Sequence, residues 1–436
     1  MTDVQPFRGL SYNKEVTGNL TQVITPPYDV ISEEAQAIYY ARNPYNIIRL
    51  ELGKDEPGDT SLNNRYTRAA VTFAEWRMKT ILRMELTTCY YLYQQVFKYD
   101  AQTHTRTSLL ARVRLEPWSA QVVLPHEHTM AKPKDDRLKL LRACVTNLSP
   151  IMSLYEDPQG RMRRLLSSYV DKAKVQITDE VNEIHRLHAI TDEHQIARIQ
   201  NFFAERQLYI ADGHHRYETA LNYREEVRAM HRKLDPNDAT NFVLMALTDV
   251  DDPGLLVLPT HRLLFGLEQE ALERLTSQQL ARYFVVYESE GVEASRDVLL
   301  ERLAQAGASQ PSFVLSTAQK TWLLSLNETG KERMDESMHS RAWNELDVSI
   351  AHTLILEDIL GLKPEDMTAG THIRYTRDAH QALGAVQSGE AQASLIMNAT
   401  RVRQICDVAI ADDRMPQKST YFYPKLVTGL VMNPLW

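Results

Sequence analysis

QLYIADGHHRYETALNYREEVRAMHRK, residues 207–233, is the stretch that decides the fold. It opens with a short apolar run of the kind that forms a buried strand. Gly213 interrupts that run, and the residues after it suit a long helix. The stretch therefore predicts a strand, a tight turn and a helix in direct succession. Strands and helices alternate in the same way along the rest of the chain, which predicts an α/β (α+β mixed) fold class.

Four other segments carry a local pattern. The aromatic-rich CYYLYQQVFKY (89–99), a polar turn and SLLARVRLEPW (108–118) together predict a β-hairpin. DDRLKLLRACV (135–145) predicts a helix, and a second helix is expected over 348–360. LTQVIT (20–25), which runs into two prolines, predicts a short strand.

The composition excludes several classes of protein. The chain has 436 residues, a formal net charge of −8 and only three cysteines, all far apart. The acidic balance makes nucleic acid an unlikely partner, and the cysteine spacing excludes a disulfide framework or a zinc ribbon. No apolar run approaches the roughly 18 residues of a membrane span, and the N-terminus lacks the apolar core of a signal peptide. We therefore expect a cytoplasmic protein without a membrane partner. The oligomeric state stays unknown at this stage.

The residues at the predicted turn suit an anion. The first amides of a helix have no intrahelical partner, and the helix dipole adds partial positive charge there. Gly213 lacks the Cβ that would block a close approach, and Arg216 offers a planar fork of donors for phosphate oxygens. His214 and His215 can donate hydrogen bonds or take protons near neutral pH. Asp212 could hold a magnesium ion, a substrate amine or one of the histidines. We predict that this turn binds phosphate.

Polar residues elsewhere give further candidates. Asp29 follows a pair of prolines and could recognise a substrate amine, and His126 at a predicted strand end could line the substrate pocket. The tail RMPQKSTYFYPK (414–425) combines cations with aromatic rings, a combination that suits a nucleotide. Either Lys418 or Lys425 could contact phosphate, and Lys418 is the predicted binding residue.

The run Asp212–Tyr217 resembles the phosphate-binding turn of the ParB/sulfiredoxin superfamily. His214 stands where sulfiredoxin has its catalytic cysteine, so sulfiredoxin chemistry is excluded. The resemblance implies a ParB/sulfiredoxin-like core with the phosphate turn over residues 119–266. An N-terminal α/β region (1–118) would precede this core, and a C-terminal α/β region (267–436) would follow it.

The chain as a whole resembles the domain of unknown function 1015 family. The matching segments span nearly the full length: PFRGLSYN, PPYDVIS, NPYNIIRLEL, LPHEHTM, DRLKLLRA, NLSPI, IADGHHRYETAL, LPTHRLL and RMPQKSTYFYPKLVTGLV. By shared fold and motif, this family is similar to free-serine kinases. That similarity implies ATP or ADP as phosphate donor, Mg²⁺ bridging the phosphates and no separate metal site. It also implies Glu127 as general base, His214 and His215 as further catalytic residues, and free L-serine as the substrate phosphorylated to O-phosphoserine.

Two alternatives from other classes remain open. The chain could be a ParB-like regulator whose turn binds CTP or ATP as a switch, although no helix-turn-helix segment is evident. It could also be a metal-dependent hydrolase that uses His126, His128, His214 and His215 as a cluster.

Overall fold

The chain forms two compact units. The computed structural model describes residues 1–170, 175–230, 234–289, 296–363, 367 and 370–436. The first unit contains Met1–Pro125, Thr129–Leu256 and Pro424–Trp436, and the second contains His126–His128 and Val257–Tyr423. Both units mix helices and strands, which confirms the predicted fold class. The division into three regions stays a prediction.

The strands are numbered in chain order. They are β1 (Val4–Gln5), β2 (Leu10–Tyr12), β3 (Leu82–Met84), β4 (Tyr90–Tyr99), β5 (Gln102–Arg114), β6 (Val123–Leu124), β7 (Thr146–Asn147), β8 (Ile151–Tyr155), β9 (Val175–Thr178), β10 (Ile184–Ile190), β11 (Leu208–Asp212), β12 (Phe242–Asp249), β13 (Leu256–Val257), β14 (His261–Leu264), β15 (Phe284–Ser289), β16 (Ser312–Thr317), β17 (Thr321–Leu326), β18 (Ile373–Thr376), β19 (Ala393–Met397), β20 (Phe422–Tyr423) and β21 (Asn433–Pro434).

The helices are numbered in the same way. They are α1 (Lys14–Thr17), α2 (Glu33–Arg42), α3 (Ile48–Glu51), α4 (Arg65–Met78), α5 (Ala131–Cys144), α6 (Arg161–Ser167), α7 (Glu193–Ala204), α8 (His214–Met230), α9 (Gln269–Glu273), α10 (Ser277–Leu280), α11 (Arg296–Gly307), α12 (Glu328–Asp335), α13 (Arg341–Asn344), α14 (Asp347–Ile350), α15 (Ala379–Gln387) and α16 (Val402–Ile410), with a π-helix over Ala351–Ile359. Among the described residues, no helix combines the length and the apolar character that a membrane crossing requires.

The first unit is built on a mixed sheet. Within the described residues this sheet has nine strands, in the order β6-β11-β8-β12-β5-β4-β10-β9, with β1 paired to β5. The pairs β6–β11 and β8–β12 are parallel, and the other pairs are antiparallel. Central strand β12 is buried at every position, as is usual for a strand covered on both faces. The sheet therefore supplies the apolar core on which α8 and its preceding turn rest.

The second unit has an antiparallel sheet of its own. In the part of the chain that the structure describes, its six strands follow the order β15-β17-β16-β19-β14-β18. Helices α11 and α15 cover one face, where Leu303, Leu383 and Val386 pack against Val314 and Ile396.

The local sequence patterns were mostly reliable. The predicted strand–turn–helix is present as β11 and α8, and the predicted hairpin as β4 and β5. The helix predicted over 135–145 is observed as α5, which begins at Ala131 and ends at Cys144. The helix expected over 348–360 is observed as α14 continued by the π-helix. The strand predicted over 20–25 is wrong. A 3₁₀-helix occupies Leu20–Gln22, because the Asn19 side chain accepts a hydrogen bond from the Thr21 amide and caps it.

One buried tyrosine ties α8 to the segment that follows β5. The Tyr217 hydroxyl donates to the Glu116 carbonyl at 2.8 Å and accepts from the Glu116 amide at 2.9 Å. Tyr217→Phe leaves both partly buried backbone groups of Glu116 without this partner, so the free energy of unfolding should fall by about 1–3 kcal/mol. Urea denaturation measures the change. Tyr223→Phe on the same helix is the matched control and should lie within about 0.5 kcal/mol of wild type.

Candidate functional site

The turn between β11 and α8 requires a glycine. Gly213 has a φ of +101°, a conformation that side chains disfavour. A Cβ at this position would also lie 2.9 Å from Nε and Nη2 of Arg216, because the guanidinium group packs over the glycine. The absence of a side chain therefore serves two purposes. It permits the turn, and it lets the Arg216 guanidinium lie against the start of α8.

Asp212, the last residue of β11, is held by two cations. Its Oδ1 lies 2.5 Å from Nζ of Lys425, and its Oδ2 accepts a hydrogen bond from Nη2 of Arg216 at 2.7 Å. Burial by itself would raise the pKa of Asp212, but the charges of Lys425 and Arg216 outweigh burial and hold the pKa well below its usual range. Asp212 is therefore ionised, and one negative charge faces two positive ones.

Arg216 carries a positive charge and also stabilises the fold through hydrogen bonds to other segments of the chain. Besides Asp212, its Nη1 donates to the Pro150 carbonyl at 2.5 Å and to Oγ of Ser149 at 3.3 Å. Burial disfavours the charged form, but the pKa of Arg216 is nevertheless raised, mainly by Asp212 and next by Asp29. We predicted from the sequence that this guanidinium would contact phosphate; the structure shows three protein acceptors around it.

A cleft next to Arg216 contains a second buried ion pair. The cleft is open to solvent, and its lining includes Glu51, Arg137, Ser149 and Arg216. Within it, Arg137 pairs with Glu51 at 3.4 Å, and Glu51 also accepts a hydrogen bond from Oγ of Ser149 at 3.0 Å. The Arg137 guanidinium lies 3.9 Å from the centre of the Tyr28 ring, and burial raises the pKa of Tyr28 to about 12. Ser149 therefore connects this pair to Arg216.

The two histidines of the turn have different surroundings. His214 is almost fully buried and helps to lower the pKa of Asp212. Nε2 of His215 accepts a hydrogen bond from the Met130 amide at 2.9 Å, which places the ring proton on Nδ1. Burial lowers the pKa of His215, so its ring is neutral at physiological pH. His215 is thus poised to donate from Nδ1 and is less suited to accept a proton at Nε2.

Asp29, the predicted substrate-binding residue, acts electrostatically on residues of the turn. It belongs to the 3₁₀-helix Tyr28–Val30 and is exposed. Its charge acts on both Arg216 and His215. Within the first unit the structure therefore brings together Asp29 and the turn, although the two are far apart in sequence.

The remaining predicted residues belong to the second unit. His126 is buried, and its Nε2 lies 3.3 Å from Oγ1 of Thr420. Its carbonyl accepts a hydrogen bond from the Met415 amide, beside a parallel bridge between Glu127 and Met415. Glu127 is half-buried, and Lys418 is exposed with a φ of +56°. The roles of these three residues stay predictions.

The sequence analysis underestimated the structural importance of Lys425. The tail offered two lysines as equal candidates, and Lys418 was preferred. The contact with Asp212 joins residues 213 positions apart, which local patterns do not reveal. The neighbouring residue Pro424 is also fixed in place, because its carbonyl accepts a hydrogen bond from Nη2 of Arg106.

Comparison with known proteins gives one family and several distant structures. A family model described as a protein of unknown function, DUF1015, matches residues 4–349. No curated protein matches the chain. Among solved structures, a free serine kinase variant in complex with AMP is 11% identical, with a TM-score of 0.37 and coverage of 72% of this chain and 87% of that one. A conserved hypothetical protein from Pyrococcus furiosus is 12% identical, with a TM-score of 0.36 and coverage of 73% and 92%. At these TM-scores the likeness assigns no substrate and no residue role to this chain.

The two lysines of the tail provide a matched test of the Asp212 ion pairs. Lys425→Gln leaves Asp212 with one cation and should lower the free energy of unfolding by about 3 kcal/mol, the cost of breaking a buried pair. Lys418→Gln changes an exposed lysine of the same segment and should cost less than about 0.5 kcal/mol.

The Asp212 ion pairs also predict how the stability of the Lys425→Gln variant depends on pH. A carboxylate with a depressed pKa stabilises the folded protein above its unfolded pKa, and that stability is lost as the pH falls. Lys425→Gln should reduce this loss, so the stability difference from wild type should shrink between about pH 5 and pH 2. Thermal melts across that range measure it. A constant difference at all pH values would contradict the ionised pair.

Proposed function

We propose that this chain, which belongs to the DUF1015 family, binds the phosphates of a nucleotide at the turn Asp212–Arg216 and transfers a phosphoryl group to a small hydroxyl substrate. Free L-serine, with O-phosphoserine as product, is the first candidate. The observation that carries the proposal is the pair of cations at the start of α8. Lys425 and Arg216 together face the single carboxylate of Asp212.

The turn has the features that phosphate recognition needs. Helix α8 has 17 residues, and its first amides have no acceptor within the helix. Gly213 has no side chain of its own, so the Arg216 guanidinium lies directly over it and places a positive charge beside those amides. Because Arg216 is held by Asp212 and the Pro150 carbonyl, its charge is fixed in place before any ligand arrives.

The protein's part in phosphoryl transfer is mainly positioning and charge stabilisation. A carboxylate must orient the substrate hydroxyl and take its proton. Glu127 is the carboxylate that the family resemblance favours. Asp29 is a second candidate, because its charge acts on Arg216 and His215 at the turn. His215, with its proton on Nδ1, can donate a hydrogen bond to a phosphate oxygen.

Magnesium would neutralise charge on the phosphates in such a reaction. Asp212 is not a suitable ligand for the magnesium ion, because both of its carboxylate oxygens already contact cations of this chain. We therefore assign no step to magnesium at this carboxylate.

The decisive experiment is a search for a phosphorylated product. The purified protein is incubated with MgCl₂, with ATP or ADP, and with each amino acid in turn, and mass spectrometry detects a mass increase of one phosphoryl group. Calorimetry with AMP, ADP, ATP and CTP measures nucleotide binding separately. Binding without any product would overturn the kinase proposal in favour of a nucleotide-binding regulator. Absence of both would overturn the phosphate turn itself.

The two candidate carboxylates can be separated by mutation. Replacing the base by its amide keeps the size of the side chain but removes the proton acceptor, so turnover should fall about a hundred- to ten-thousand-fold. Glu127→Gln should show this loss, with nucleotide affinity nearly unchanged. Asp29→Asn should show it instead if Asp29 takes the proton. Glu33→Gln, an exposed carboxylate near Asp29, is the control and should keep wild-type turnover. Wild-type turnover in both test variants would remove both residues from this role.

A further inference from the structure

The turn between β9 and β10 collects three metal-binding side chains. Asp179, Glu183 and His185 each offer a donor atom, and these atoms all lie within 4.8 Å of one another. Metal bonds of about 2.0–2.2 Å place the donors around one ion up to roughly 4.4 Å apart, so a small inward movement would complete the set. None of these residues was singled out as a ligand by the sequence pattern.

His185 has the orientation of a metal ligand. Its Nδ1 lies 2.8 Å from the hydroxyl of buried Tyr93, and its Nε2 faces Oδ2 of Asp179 at 3.2 Å. In the tautomer that binding of an ion requires, Nδ1 would donate to the Tyr93 hydroxyl and the Nε2 lone pair would face the carboxylates. A hydrogen bond of this kind from the second ring nitrogen fixes the ring and is usual for histidine ligands.

Glu183 supplies an independent observation. Its side chain is only 7% exposed, and its carboxylate oxygens form no hydrogen bond with any described residue. A buried carboxylate without a partner is costly, and a cation among these donors would remove that cost.

The protein balances the charge of the cluster only in part, because the charge of buried Arg106 acts on Glu183 without an ion-pair contact. Asp179 contacts His185 and the amides of Val181 and Glu183. Within the described residues, no lysine or arginine forms an ion pair with Asp179 or Glu183. Two carboxylates therefore lie close together without a cation in contact, and a divalent ion would balance their charge.

We propose that Asp179, Glu183 and His185 form a binding site for a divalent transition-metal ion. Carboxylates suit Mn²⁺ and imidazole suits Zn²⁺, so the mixed set favours this class over Mg²⁺, which prefers oxygen ligands alone. Three protein ligands leave further positions for water or a substrate oxygen. The proposal does not depend on the phosphate turn, although Arg106 lies in electrostatic range of both Glu183 and Asp212.

The test uses the full chain and no nucleotide, so its outcome is separate from that of the kinase proposal. Protein stripped by a chelator is titrated with MnCl₂, followed by electron paramagnetic resonance, and with ZnCl₂, followed by calorimetry. We expect one ion per chain. Glu183→Gln should weaken binding about 100-fold or more, because it removes a charged ligand. Tyr93→Phe should weaken it by about 10- to 100-fold, the usual effect of removing the partner of a ligand histidine.

Glu180→Gln is the matched control. Glu180 belongs to the same turn, but its carboxylate contacts the Tyr39 hydroxyl and Arg42 and is not part of the cluster. Metal affinity should match wild type in this variant. If Glu183→Gln does not fold, Asp179→Asn replaces it, with the same expected loss. Absence of stoichiometric metal in wild type, or wild-type affinity in Glu183→Gln, would overturn the proposal.

Discussion

The ion pairs of Asp212 are the interaction on which the rest of the first unit depends. A carboxylate at the end of a buried strand is tolerated only when it is paired, and here both partners come from other elements or turns. Arg216 fixes the beginning of α8, and Lys425 brings in the C-terminal segment. That segment is also held by its backbone, because the Lys425 carbonyl accepts a hydrogen bond from Nε2 of Gln95. Asp212 therefore connects β11 to α8 and to the C-terminal segment.

This constraint changes the role that Arg216 was expected to have. An arginine at a strand–helix junction suggests a side chain that reaches out to phosphate. In the structure its guanidinium is directed back over Gly213, toward the Pro150 carbonyl. Its positive charge remains at the turn, but its hydrogen-bond donors are largely used by the protein. The amides at the start of α8, which have no acceptor within the helix, offer further donors to an anion beside this charge.

Sequence reasoning succeeded where the structure is local. The apolar run before Gly213 and the helical pattern after it predicted β11 and α8, since both signals lie within one short segment. The strand predicted over 20–25 was wrong, because the side chain of Asn19 caps a 3₁₀-helix there. Sequence reasoning could not choose between Lys418 and Lys425, because the two lysines differ only in a contact made across the whole chain. Asp179, Glu183 and His185 were missed for a different reason. Their spacing matches no metal motif, and only the tight β9–β10 turn brings them together.

Arg106 suggests why these charged groups occur together in one unit. It is fully buried on β5, and burial lowers its pKa, while the charges of Glu183 and Asp212 act in the opposite direction. Its Nη2 also donates to the Pro424 carbonyl, next to Lys425. The buried guanidinium thus interacts with the carboxylates of both clusters and with the tail. An anion or a cation bound at either cluster would change the electrostatic potential at Arg106. This would in turn change the interaction of Arg106 with the carboxylates of the other cluster. The two sites are therefore expected to be electrostatically coupled even though they share no ligand.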